Sequence, residues 1–329
     1  MGSTLSRALY DEPKSTDSSR LPLPAFKDLP LKPEYPPHAA WGVWGDKDEL
    51  GTVNNITPET IRAASEEVQL GLSIPLNWSV DQPKYPFYER SGFHQEIVPK
   101  HPRTVNDDVS SSQWDSLRHF GYQAERVFYN GLKQDDVLAD KSLTQNGIHN
   151  WAETGIVGRG VLLDFYAYAL RHNIEYDPYS RYGITLEQLE AVRAEQGVEF
   201  REGDILLIRF GHIAVYNSFP DHRKQEVAKF PHTWAGVGQS KDVLGWIWDN
   251  HFSAVGGDAP AFETTPSLAD FQLHPVILSG FGCPLGELFD LERLAVECEA
   301  AKRWSFFFTS APLNIPGGVA SPPNAIAIL

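Results

Sequence analysis

Apolar and polar positions along the chain predict strands that alternate with helices. Residues 160–165 are an apolar run typical of a buried strand, and residues 204–210 are predicted as the next strand. Further strands are predicted at residues 72–78, 253–256, 275–279, 305–309 and 325–329. This alternation indicates an α/β fold with a mixed sheet.

Capping residues mark where the helices begin. Thr57 precedes Pro58, the usual order of a helix N-cap and first helical position. Thr185 and Gln188 have the spacing of a capping box. The predicted helices span residues 57–71, 185–197, 240–250 and 288–303.

The N-terminal region differs in composition from the rest of the chain. Residues 1 to about 40 contain six closely spaced prolines, which exclude regular helix or sheet: Pro22, Pro24, Pro30, Pro33, Pro36 and Pro37. We interpret residues 1–40 as an arm that is either disordered or laid over a neighbour, and residues 41–329 as one folded domain. Apolar positions in residues 80–108 follow neither a helical nor a strand period, so this segment is predicted as a long loop.

Composition excludes several classes of partner. A net charge of -15 argues against nucleic acid and anionic membranes, because both bind basic surfaces. No apolar run is long enough to span a bilayer, and residues 1–23 lack the apolar core of a secretory signal. The two cysteines, Cys283 and Cys298, do not form a disulfide framework, which fits a reducing compartment. We therefore expect a cytoplasmic protein that acts on a small molecule.

The strongest chemical signal is the segment 110–120, Ser-Ser-Ser-Gln-Trp-Asp-Ser-Leu-Arg-His-Phe. In an extended segment, alternation places Gln113, Asp115 and His119 on one side. A carboxylate, an imidazole and an amide so arranged could hold a divalent cation together with a proton-transfer group. The alternative is a polar loop whose Asp and His cap neighbouring turns. Trp114 and Phe120 face the other way and suit the core, although Trp114 also remains a weak candidate for substrate contact.

This segment resembles the His-x-Gly-Thr-His-x-Asp-x-Pro-x-His signature of the metal-dependent cyclase family, which includes kynurenine formamidases and isatin hydrolases. With His119 on the last signature histidine, Asp115 matches the signature aspartate. Val109 and Gln113 stand where the family has two metal-binding histidines, and Leu117 replaces the proline. The segment is most similar to a fungal-type subgroup with Ser-Ser-Gln-Trp-Asp.

The resemblance extends over residues 44–329. Further matching pieces follow in the family's order, at residues 44–54, 203–209, 256–260, 273–278 and 286–288. In the last two, His274 and Glu287 match the family's second pair of metal ligands. The resemblance implies a single catalytic domain with a central mixed sheet or flattened barrel flanked by helices. It also implies a homodimer or homotetramer.

The resemblance implies a metal site formed by Asp115, His274 and Glu287, with Gln113 as a candidate fourth ligand. Three protein ligands and a water are typical of a catalytic metal. Without two of the family's histidines, one divalent ion per chain is expected, and zinc and manganese suit the ligands equally. His119 would be the catalytic acid/base; alternatively, it orients Asp115.

His149 and His232 are weaker candidates for substrate contact, the first before a predicted strand and the second in a loop similar to the family's Pro-Gly loop. The expected activity is hydrolysis of an amide, lactam, lactone or ester of a small aromatic substrate by metal-activated water. Arylformamides and isatin-like lactams are the family's precedent. Two alternatives stay open: a non-catalytic or metal-free ligand-binding relative, and a biosynthetic cyclase or dehydratase that uses the same site.

Overall fold

The computed structural model of the chain describes residues 22–88, 90–92 and 111–329. Its strands are β1 (Ser73–Pro75), β2 (Gln113–Asp115), β3 (Ile156–Asp164), β4 (Gly183–Ile184), β5 (Ile205–Arg209), β6 (Gly236–Val237), β7 (Ala254–Gly257), β8 (Leu285–Glu287), β9 (Ser305–Ser310), β10 (Ala320–Ser321) and β11 (Ala325–Ile328). Its α-helices are α1 (Pro58–Ser65), α2 (Gln134–Ala139), α3 (His149–Thr154), α4 (Phe165–Arg171), α5 (Leu186–Gln196), α6 (His212–Ser218), α7 (Asp221–Val227), α8 (Lys241–Asp249), α9 (Leu273–Pro275) and α10 (Glu292–Ala301). Val109, residues 1–21 of the predicted arm and residues 93–108 of the predicted loop lie outside the described residues.

One large mixed sheet organises the described part of the chain. Nine strands follow the order β1-β11-β9-β3-β5-β7-β8-β2-β10, and β4 pairs with β6 in a separate two-stranded sheet. The central strands β3, β5, β7 and β8 are parallel, whereas the neighbours on both sides are antiparallel. The predicted α/β fold with a central mixed sheet flanked by helices is confirmed.

The parallel centre of the sheet explains why its strands are apolar throughout. Strand β3 is buried along nearly its whole length, and β5 is buried except at Arg209; helices α1 and α5 pack against β3 and helix α4 against β5. The predictions for residues 160–165 and 204–210 are therefore confirmed. The capping box at Thr185 is also confirmed, and its helix ends at Gly197, which has the left-handed conformation.

The prediction of a strand at residues 275–279 is wrong. The segment forms α9 followed by a buried π-helical turn, Val276–Gly280. Pro275 is tolerated there because the first turn of a helix does not need its missing N–H. The free backbone N–H groups of Leu273 and His274 donate to the carboxylate of Glu263, at 2.8 and 2.7 Å. A cap supplied from ten residues upstream leaves no local pattern.

Two predicted helices are shorter than expected. Helix α1 ends at Ser65 rather than near Gly71, and α10 begins at Glu292 rather than at residue 288. The second difference matters for the site, because Glu287 ends strand β8 and does not begin a helix. Its carboxylate therefore projects from the sheet beside β2 and is not placed by a helix terminus.

The described part of the predicted arm, residues 22–40, packs against its own chain. Leu29, Ala39 and Ala40 are buried in the main core. The backbone N–H of Phe26 donates to Asp249 at 2.8 Å, and Trp248 donates to the carbonyl of Pro24 at 2.8 Å. These contacts attach residues 22–40 to helix α8.

Candidate metal centre

Three potential metal ligands converge at one edge of the parallel strands. Strands β2 and β8 are antiparallel neighbours with Gln113 directly opposite Glu287, so Asp115, two residues further on, shares their face. His274 reaches the same point from α9. One potential ligand atom from each of Asp115, His274 and Glu287 lies within 4.8 Å of the others. The Nε2 atom of His274 is 3.4 Å from Asp115 Oδ2 and 3.5 Å from Glu287 Oε1.

The two carboxylates are buried beside each other, which makes their joint ionisation costly. Asp115 is fully buried and Glu287 is 4% exposed. Burial and the charge of Asp115 raise the pKa of Glu287 to about 8. Burial alone would lower the pKa of His274, but its hydrogen bond to Asp115 and the charge of Glu287 raise that pKa to about 9. A positive charge at this point is therefore strongly favoured.

The donor set fits a divalent cation. It offers one imidazole nitrogen and two carboxylates, a combination that both zinc and manganese accept. In the described part of the chain, no lysine or arginine lies within ion-pair distance of Asp115 or Glu287. A cation held by these ligands would supply the charge that two buried carboxylates otherwise lack.

Gln113 lies at the centre but presents the wrong atom for ligation. Its amide nitrogen donates to Asp115 Oδ1 at 2.8 Å and to Glu287 Oε2 at 3.1 Å. Its amide oxygen accepts from Arg90 Nη1 at 3.3 Å, so donors and acceptors on both sides favour this orientation. An amide nitrogen has no lone pair to offer a metal. In this conformation Gln113 links the carboxylates, and a role as fourth ligand would require its amide to rotate.

His119 lies next to Asp115 for a different reason from the one predicted. The extended segment ends at Asp115, and the backbone then turns, with the His119 N–H donating to Ser116 at 3.0 Å. The turn brings His119 Nε2 to 3.7 Å from Asp115 Oδ1. Burial lowers the pKa of His119 although the charge of Asp115 opposes this effect. A neutral imidazole beside the ligands is suited to accept a proton.

A cavity of about 510 Å³ opens onto the centre. His119, His274 and Glu287 line it together with aromatic rings from Tyr88, Phe120, Phe230 and His232. A cavity with aromatic walls and a few convergent polar groups is typical of a small-molecule site. Phe120, which alternation assigned to the core, lines this cavity because the turn after Asp115 reverses its direction.

Comparisons with known proteins agree with these features. Residues 70–264 match the Cyclase family model, described as "Putative cyclase". The chain belongs to the cyclase family. The family prediction is thus confirmed, and the chain is also 32% identical to a solved structure described as a novel cyclase, covering 88% of this chain and 99% of that one with a TM-score of 0.76.

Two solved isatin hydrolases are more distant in sequence from this cyclase-family chain. An isatin hydrolase solved with the product analogue thioisatinate is 14% identical, with 83% of this chain and 99% of that one covered and a TM-score of 0.50. Isatin hydrolase A from Labrenzia aggregata is 13% identical, with 78% and 93% covered and a TM-score of 0.49. No match was found among curated proteins. None of the helices in the described residues is long and apolar enough to cross a membrane.

The cyclase-family structure separates the three weaker candidates. Trp114 is fully buried, packs against Phe289 and donates to Ser310, so its predicted contact with substrate is wrong. His149 begins α3 and accepts from the backbone N–H of Gly317 at 3.4 Å, outside the residues that line the cavity. His232 lines the cavity, where its ring stacks on Trp234.

Two cavity residues have no counterpart among the predicted site residues. Glu263 caps α9 and its Oε1 lies 3.7 Å from His274 Nδ1, on the opposite side of the ring from Asp115. This places Glu263 where it can fix the orientation of the imidazole. Its only sequence signal is an acidic residue after the apolar stretch 259–262. Arg90 lies in the predicted loop 80–108, where no hydrophobic periodicity or motif marks it as a site residue.

Proposed function

We propose that this chain is a metal-dependent hydrolase that opens an amide, lactam, lactone or ester bond in a small aromatic substrate. One observation carries the proposal: Asp115, His274 and Glu287 converge beside His119, and His119, His274 and Glu287 line a single cavity. These are the groups that hydrolysis by activated water requires, namely cation ligands and a neighbouring proton carrier.

Each residue has a distinct role in the proposed reaction. Asp115, His274 and Glu287 would hold one divalent ion, which would lower the pKa of water and polarise the substrate carbonyl. His119 takes the proton from the attacking water and returns it to the leaving nitrogen or oxygen. Glu263 and Gln113 keep the ligands in place through the hydrogen bonds described above.

The cavity supports an aromatic substrate. Its volume of about 510 Å³ accommodates a molecule with one or two rings, and its wall carries the aromatic side chains of Tyr88, Phe120 and Phe230. The isatin hydrolase with a similar fold acts on isatin, as its name states. An isatin-like lactam or an arylformamide is therefore the first substrate class to examine. Zinc or manganese, a homodimer or homotetramer and a cytoplasmic location complete the proposal.

A metal-free binding protein is the second candidate. The observation in its favour is that Gln113 already donates one hydrogen bond to each carboxylate. These two bonds supply part of the hydrogen bonding that buried carboxylates require, and they do so without a cation. The metal content of the purified protein separates the two candidates.

Turnover measurements test the proposed function. Metal-loaded protein should be assayed with N-formylkynurenine, isatin and a panel of aryl esters and lactones. We expect His119→Ala to lower kcat by roughly 10²–10⁴-fold, the usual contribution of a positioned acid or base, with the metal retained. His172→Ala is the matched control, because that histidine is exposed and paired with Glu195. Turnover unaffected by both His119→Ala and Asp115→Ala would contradict the proposal.

A further inference from the structure

An arginine lines the cavity beside the metal centre. Among the lysines and arginines of the described residues, only Arg90 contributes to the cavity wall. Its backbone N–H donates to the carbonyl of Phe87 at 3.2 Å, and its guanidinium lies over the ring of Tyr88, 5.4 Å from the centroid. These contacts hold the Arg90 side chain at the cavity wall.

The described residues use only part of the hydrogen-bonding capacity of the Arg90 guanidinium. Its one hydrogen bond to a described side chain is the 3.3 Å contact with the amide oxygen of Gln113. No carboxylate in the described ranges lies within ion-pair distance of it, in contrast to Arg159 and Arg209, which each contact two. A guanidinium has five N–H donors, so most of those of Arg90 have no acceptor among the described residues.

Arg90 is also placed to act together with the metal centre. A short chain of hydrogen bonds runs from Arg90 through Gln113 to Asp115 and Glu287. Only one side chain therefore separates the guanidinium from the ligands. A molecule with one or two rings in the cavity could present one group to Arg90 and another to the ligands.

We propose that the substrate carries an anionic oxygen group, of the carboxylate class, which Arg90 binds while the scissile carbonyl lies beside Asp115, His274 and Glu287. The inference rests on the proposed function, because it treats the cavity as the substrate site. Arginine suits this task since its planar fork pairs with carboxylate oxygens through two parallel hydrogen bonds. The anion also offsets the cationic charge at a wall where Glu263 and Glu287 are already engaged with His274.

Binding measurements with a matched pair of probes test this inference without turnover. Benzoate and benzamide have nearly the same shape and differ in charge. Titration calorimetry on the metal-loaded protein should show benzoate binding roughly tenfold more tightly or better, the usual effect of charge-assisted hydrogen bonds. Arg90→Gln should reduce the preference to within about threefold, and Arg90→Lys should give an intermediate value.

Controls separate recognition by Arg90 from other causes. Arg62→Gln, at an exposed position on α1, should keep the full preference. Metal content should be the same in wild type and Arg90→Gln, because a merely structural role would weaken metal and both probes together. Equal affinity for the two probes in the wild type, no benzoate binding, or a preference that survives Arg90→Gln would overturn the inference. The last result would show that the metal itself recognises the carboxylate.

The inference and the proposed function can fail separately. A benzoate preference that depends on Arg90, in a protein without turnover on any ester or amide, would reject the hydrolase and keep the anion site. Hydrolysis of neutral aryl esters at the same kcat/KM as their carboxylate-bearing analogues would reject the anion site and keep the hydrolase.

Discussion

Two clusters of buried carboxylates in this domain are balanced in opposite ways. In the first, Glu67 and Asp204 face the guanidinium of Arg159 at 2.9 and 2.7 Å, and Arg303 adds a second contact to Glu67 at 2.7 Å. Burial raises the pKa of Asp204 to about 6, so its carboxylate is still ionised at neutral pH. The charges of this cluster are matched within the protein.

In the second cluster, Asp115 and Glu287 share His274, and His119 lies 3.7 Å from Asp115. Within the described residues, Arg90 does not contact either carboxylate directly. Its guanidinium bonds to Gln113, and Gln113 in turn bonds to both carboxylates. Burial and the charge of Asp115 raise the pKa of Glu287 to about 8, whereas the contacts of His274 with Asp115 and Glu287 outweigh its burial and raise its pKa to about 9. The comparison teaches that charge balance, rather than burial, distinguishes a structural cluster from one that awaits a cation.

The largest expected difference is in the free energy of unfolding, when one aspartate of each cluster is replaced by alanine. Asp204→Ala should lower the free energy of unfolding by roughly 3–5 kcal/mol, since it removes a buried partner of Arg159. Asp115→Ala should lower the unfolding free energy of metal-free protein by less than Asp204→Ala does, because it removes the repulsion from Glu287 together with the contacts to His274 and Gln113. Equilibrium unfolding in urea after chelation measures both.

The two aspartates form a matched pair, because Asp115 and Asp204 are 0% and 1% exposed. Metal binding provides the reverse comparison: Asp204→Ala should retain the metal, whereas Asp115→Ala should lose it. Equal loss of stability in both variants would show that the second cluster is structural as well.

A smaller effect is expected at the residue that orients His274. Glu263→Gln removes one of the two carboxylate oxygens that hold α9 and face the imidazole, so metal affinity should fall roughly 10–100-fold. A competition titration with a metal-binding dye measures this change. Glu226→Gln serves as the control, because Glu226 is exposed and forms a surface ion pair with Arg223. Unchanged metal affinity would mean that Glu263 acts only as a helix cap.

The smallest effect concerns a buried group that has no charge partner among the described residues. His212 is fully buried against Tyr179, and burial lowers its pKa to about 3. Below pH 6.5 the unfolded chain therefore binds a proton at this histidine that the folded chain does not. Stability should fall as the pH decreases from about 6.5, by roughly 2 kcal/mol at pH 5 from this residue alone.

His212→Gln tests that pH dependence. Unfolding free energies of wild type and variant should be compared at pH 7.5 and pH 5. The difference between the two pH values should be smaller in the variant by about 1–2 kcal/mol. The same difference in both proteins would show that the imidazole is charged in the folded state.

Much of the fold could be predicted from local patterns. Strands β3 and β5 are buried on both faces, which requires continuous apolar runs, and the capping box at Thr185 is a contact within one helical turn. Helix α9 could not be predicted, since Glu263 caps it from another part of the chain. Local propensity gives way where a distant group satisfies the backbone.

The site could be predicted only where a motif marks it. Asp115 and His119 belong to one short segment, and His274 and Glu287 match the family's remaining ligands. The roles of Arg90 and Glu263 arise from contacts with Gln113 and His274 that only the folded chain creates. The failed contact for Trp114 has the same origin, since its partner Phe289 is distant in sequence.

The central claim is that the unbalanced cluster holds one divalent cation. Elemental analysis of protein purified without chelator, and after supplementation with zinc or manganese, tests it most directly. We predict about one ion per chain in the wild type and in Asp204→Ala, and almost none in Asp115→Ala. Two ions per chain, none after supplementation, or an ion retained by Asp115→Ala would contradict the account.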